Sequence, residues 1–118
     1  MKRKRAHKTV MKSLAKLILD KKGLDVLLMD LRKITMTTDF FILATGESDT
    51  HVRAIADHLV HETARRRKIK PWHIEGYNHA QWVLIDYVDY VVHVEKLGDP
   101  SQIISGTTGS SATSISSP

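Results

Sequence analysis

The segment Trp72–Glu95, WHIEGYNHAQWVLIDYVDYVVHVE, constrains the fold more than any other part of the chain. Two apolar, β-branched runs, Trp82–Ile85 and Tyr90–Val94, are joined by Asp86-Tyr87-Val88-Asp89. A third short run, Trp72–Glu75, precedes them across Gly76-Tyr77-Asn78-His79. Val, Ile, Trp and Tyr suit a half-buried pleated surface and Asn, Asp and Gly suit its turns, so the segment predicts three successive strands. Alternation along the second strand sends Trp82, Leu84 and Asp86 to one side and Val83, Ile85 and Tyr87 to the other. Asp86 and Asp89 stand at the lip of the hairpin, with Trp82 and Tyr87 within side-chain reach. Aromatics beside carboxylates on a rigid sheet suit a basic partner.

The preceding chain supplies helices and two further strands. From Thr9, residues Val10, Leu14, Leu17 and Ile18 fall on one helical face, and Gly23 stops the helix. Asp25–Lys33 reads as a strand and Thr35–Asp39 as a turn. The unbroken apolar run Phe40–Thr45 predicts a central strand buried on both faces. Gly46-Glu47-Ser48-Asp49 follows as a loop, with Ser48 or Asp49 placed to cap the next helix and His51 placed to organise the loop or touch a partner. Val52, Ile55, Ala56, Leu59, Val60 and Ala64 then recur at helical spacing over Thr50–Arg67, and Pro71 marks the exit. The order helix, strand, strand, helix, strand, strand, strand predicts an α/β domain with a mixed five-stranded sheet flanked by helices.

Charge is polarised along the 118 residues, whose formal net charge is +5. Lys2, Arg3, Lys4, Arg5, Lys8, Lys12 and Lys16 all precede the first acid, Asp20, and Arg65–Lys70 form a second basic cluster. Residues 1–7 therefore read as a flexible basic arm suited to phosphate, 8–97 as the folded domain, and 98–118 as a disordered Ser/Thr-rich tail. The absence of Cys excludes disulfides and thiolate metal sites. No apolar run approaches the roughly 20 residues needed to span a bilayer, which makes the cytoplasm the expected setting. An organelle is the alternative, because an acid-poor amphipathic start resembles a transit peptide.

Chemistry is harder to find. The Gly46 loop carries no nucleotide-binding motif, and His58 and His61 lack the companion residues of a zinc helix. Asp86 and Asp89 are spaced D-x-x-D across a turn rather than side by side on one strand, and neither a Cys nor a Ser/His/Asp set accompanies them. No catalytic residue, metal or cofactor is expected. The rival reading is a metal-dependent nucleotidyltransferase-like enzyme built from Asp86, Asp89 and the Gly46 loop.

Two blocks resemble a known family. TTDFFILATGESDTHVRAIADHL and EGYNHAQWVLIDYVDYVVHV are similar to the ribosomal silencing factors, also called Iojap-like proteins, and the likeness runs from about Leu14 to Val94. The resemblance implies a non-enzymatic protein whose fold is nucleotidyltransferase-like without the catalytic carboxylates. It implies binding to the large ribosomal subunit through its ribosomal protein fourteen, exclusion of the small subunit, and repression of translation, with rRNA phosphate contacts from the basic arm and a homodimer as further expectations. Carried onto this chain, the partner-facing residues are Trp82, Asp86, Tyr87 and Asp89, with Glu75 and His93 beside them. Two departures stand out. Val88 occupies a hairpin position where the family usually has Gly, so the turn is expected to change geometry or the strands to shift. The tail from Gly98 replaces the family's short acidic and aromatic terminal helix.

Overall fold

The structure, a computed structural model, describes residues 2–36 and 38–98, with only the backbone described for 2–8. Its elements follow the expected order: α1 Lys2–Asp20, β1 Leu24–Asp30, β2 Phe40–Gly46, α2 Asp49–Arg67, β3 His73–Glu75, β4 Trp82–Asp86 and β5 Tyr90–Lys96. The sheet order is β1-β2-β5-β4-β3. β2 and β5 run parallel, with α2, β3 and β4 between them in the chain, and every other pair is antiparallel. The expected mixed five-stranded α/β sheet is present.

Both helices lie on one side of that sheet. Val10, Leu14, Leu17 and Ile18 of α1 and Val52, Ile55, Ala56 and Leu59 of α2 share a core with Ile42, Ala44, Val83, Ile85, Val92 and Val94. Side chains one step along each strand point to the opposite side, which carries no helix among the described residues. β2 alternates strictly between buried and half-buried residues, so its unbroken apolar run is not a strand buried on both faces. Phe41 and Leu43 are instead half-exposed, and the periodicity was hidden because this uncovered face is itself apolar.

Two boundaries differ from expectation. The helix begins at Lys2, so the backbone expected to form a flexible arm over 1–7 is helical from its second residue. Lys, Arg and Ala are good helix formers, and nothing in KRKRAHK interrupts the helix that follows. β1 ends at Asp30 rather than Lys33, because Asp30 folds back onto Arg32: its carboxylate accepts from the Arg32 backbone and guanidinium, the latter at 2.6 Å. The tail read as disordered, from Asp99 onward, lies outside the described residues.

Candidate functional site

The uncovered face of the sheet is organised around Trp82. Cross-strand register places Phe41 opposite Val91, Leu43 opposite His93, and His93 opposite Leu84. The Trp82 indole stacks on the His93 ring at 5.9 Å with planes 15° apart, and His93 stacks on Phe41 at 6.3 Å. The His79 ring meets Trp82 edge-on at 5.1 Å. The result is a half-exposed aromatic row across three strands, continued by Leu84 and Leu43 and rimmed by Glu95, whose carboxylate is 3.4 Å from His93.

The loop that carries Trp82 is tied to α2. Arg53 donates to the carbonyls of Tyr77 (3.1 Å) and Asn78 (2.6 Å), and the Tyr77 hydroxyl donates to Asp57 at 3.0 Å. At the start of α2, Ser48 is the N-cap, its hydroxyl accepting from His51 N–H at 3.1 Å. The His51 ring accepts from Glu47 N–H through Nδ1 (2.8 Å), which leaves Nε2–H to donate to the Lys21 carbonyl (2.6 Å). His51 thus organises the loop and joins it to the end of α1. His58 and His61 part company: His58 Nε2 is enclosed without a hydrogen-bond partner among the described residues, while His61 is exposed.

Of the residues singled out from sequence, the structure gathers Trp82, His93, Asp86 and Glu75 on the uncovered side, by register: Asp86 faces Val91 across β5 and Glu75 faces Leu84 across β4. Asp89 sits exposed at the hairpin tip. Tyr87 does not belong with them. It is only 8% exposed on the helix side, its hydroxyl 2.9 Å from Thr63 Oγ1, and burial pushes its pKa up. The alternation of β4 runs one residue past the strand's end, so an aromatic beside the lip residues still points into the core. Phe41, Leu43 and Arg53 were missed. The first two were concealed in the apolar run; Arg53, a helix cation whose target is a loop 24 residues away, had no local signal.

Val88 stands at the tip of the turn between β4 and β5. It takes the positive φ itself, at 75°, closed by Asp89 N–H to the Tyr87 carbonyl (3.0 Å), while Asp86 Oδ1 accepts Val88 N–H at 2.7 Å. Those bonds and the buried strands on either side hold a backbone that a β-branched residue disfavours. Val88→Gly is therefore expected to stabilise the protein by about 1 kcal/mol, strain relief outweighing the entropy glycine loses. Thermal melting checks it: an unchanged or lower Tm means the turn is not strained at this residue.

The second basic cluster is partly neutralised. Glu62, on α2, accepts from Arg65 at 2.8 Å and Arg66 at 2.6 Å, and chiefly the Arg65 contact holds its pKa down at about 2, against the opposing effect of burial. A carboxyl depressed on folding stabilises above its ordinary pKa and ceases to do so as pH falls toward the folded value. Stability from Glu62 is thus expected to be lost between about pH 4.5 and 2. Melting curves over that range should be flatter for Glu62→Gln than for wild type; equal slopes would rule the contribution out.

A family described as "Ribosomal silencing factor during starvation" matches residues 4–96. The chain belongs to the ribosomal silencing factor family. It is 41% identical over 75 residues to a ribosomal silencing factor of Halalkalibacterium halodurans, a match covering 64% of this chain and 63% of that protein. It is 37% identical over 88 residues to that of Bacillus subtilis, covering 75% and 74%. A mitochondrial Iojap-related protein of Arabidopsis thaliana is 34% identical over 82 residues, 66% of this chain and 44% of its own length. Among solved structures, a Bacillus halodurans protein superposes with TM-score 0.71 at 32% identity, covering 82% of this chain and 90% of its own. The names within the family describe a ribosome-associated regulator of translation rather than an enzyme.

Proposed function

We propose that this chain silences ribosomes as a steric wedge. It binds the large subunit through ribosomal protein fourteen, laying the Trp82–His93–Phe41 face against that protein, and so occupies the surface where the small subunit docks. The aromatic row supplies affinity; Asp86, Asp89, Glu75 and Glu95 steer a basic partner into register. The observation that carries the reading is the uncovered, aromatic, preorganised sheet face in a chain of this family. Turnover is not needed for this action, and Asp86 and Asp89, one on the sheet face and one at the hairpin tip, lack the shared strand face of a two-metal carboxylate pair.

The basic first helix, together with Arg67, Lys68 and Lys70, adds rRNA phosphate contacts, which makes binding salt-sensitive. The free protein is proposed to associate as a homodimer. The bacterial relatives favour the cytoplasm, and the mitochondrial one keeps an organelle as the alternative. Among the described residues no helix is long and apolar enough to cross a membrane. Sedimentation of purified subunits tests the proposal: the protein should travel with the large subunit, deplete joined ribosomes and dissociate as salt is raised. Protein left at the top of the gradient at low salt would overturn it.

A further inference from the structure

A cleft of about 470 Å³ opens at the hairpin end of the sheet, lined by Thr38, Trp72, Asp86 and Val88. Trp72 lies just before β3, and its side chain is uncovered, at 74% exposure, although its backbone N–H is fixed to the Asp86 carbonyl at 2.7 Å. The indole is thus anchored at its base and open to water, beside the exposed Val88. Across the cleft, Asp86 Oδ1 accepts Val88 N–H at 2.7 Å, so the carboxylate is held in orientation by the turn. None of the described ion pairs includes Asp86. The neighbouring His73 is already engaged, its Nε2 2.9 Å from Glu75.

An aromatic face, an oriented carboxylate and an aliphatic wall complement a guanidinium. That group is flat enough to stack on indole, and it donates a fork of N–H bonds that a carboxylate accepts in its own plane. Alternatives fit less well. An ammonium has no planar face to stack, an anion would be repelled by Asp86, and an apolar group would enclose the carboxylate without a partner. We propose that this cleft receives an arginine side chain of the docking protein, stacked on Trp72 and paired with Asp86. The identity of that protein rests on the function proposed above; the chemistry of the cleft does not.

Two measurements separate the two ideas. In the first, the affinity of large subunits is measured for Trp72→Ala, Asp86→Asn and the double variant. Each single change should weaken binding about tenfold, and the double little more, because each removes the same contact. Trp72 is largely exposed and Asn can still accept from Val88 N–H, so unchanged melting temperatures are expected to confirm intact folds. In the second, the Trp72 indole N–H resonance is followed by NMR during titration with N-acetylarginine amide, N-acetyllysine amide and N-acetylcitrulline amide. The arginine compound should shift it most, the uncharged citrulline compound should not, and Asp86→Asn should abolish the shift. Wild type failing to bind large subunits overturns the proposed function, and the titration then still decides the cleft. Trp72→Ala binding within twofold of wild type, or equal shifts from arginine and citrulline compounds, overturns the arginine site and leaves the proposed function standing.

Discussion

Trp82→Ala is expected to release the protein from the large subunit, weakening binding by roughly 30-fold or more while the domain stays folded. Central aromatic anchors typically cost 2 kcal/mol or more on truncation, and Trp82 has the properties of one. Its ring is clamped between His93 and His79, so little rotamer entropy is lost on docking. It lies on the uncovered side, outside the core shared with α1 and α2, so its removal opens no cavity beneath the helices. Trp82→Phe should fall between the two, keeping a stacking surface over His93 but less contact area. Gradient co-sedimentation at fixed salt, beside thermal melting, reads both quantities. A Trp82→Ala protein that co-migrates like wild type would remove the sheet face from the interaction. One that fails to bind and also melts far below wild type would assign Trp82 a structural role.

How much of this was legible in the residues follows from how local each signal is. The strand order in sequence, the hairpin and the α2 cap were readable because propensity, alternation and capping act within a few residues, as at Ser48 and His51. The part of the uncovered face that β2 contributes was not. An apolar run such as Phe40-Phe41-Ile42-Leu43-Ala44 looks the same whether its second face packs against a helix or awaits another protein. That ambiguity is intrinsic, since both surfaces are selected for the same burial. Tyr87 erred in the opposite direction: proximity to Asp86 and Asp89 in sequence suggested a shared surface, but strand parity sends it to Thr63. Val88 shows a local rule outweighed. Its own backbone preference opposes a positive φ, yet the strands on both sides and the Asp86 and Tyr87 acceptors over-determine the turn.

Gly76→Ala should be the most damaging single-methyl change near the site, lowering stability by roughly 2–4 kcal/mol through a left-handed backbone cost and overpacking together. Gly76 has φ 81°, and a Cβ there would run into the Trp82 carbonyl oxygen and stand 2.8 and 2.9 Å from Cε3 and Cζ3 of the indole. The backbone oxygen cannot yield without disturbing β4, where Trp82 pairs with Glu95, so the indole and the strand must both shift. For a domain of this size the loss corresponds to a fall in Tm of more than about 10 °C. The consequence for binding follows from the same contact. A displaced indole no longer stacks on His93, so Gly76→Ala should impair co-sedimentation even below its lowered melting temperature, where the chain is folded. This pairs usefully with Trp82→Ala, which is expected to lose binding while keeping stability. If Gly76→Ala melts within about 2 °C of wild type, the tight approach of the β3–β4 turn to Trp82 is wrong. If it is destabilised yet binds normally when folded, the indole's position is not what the partner reads.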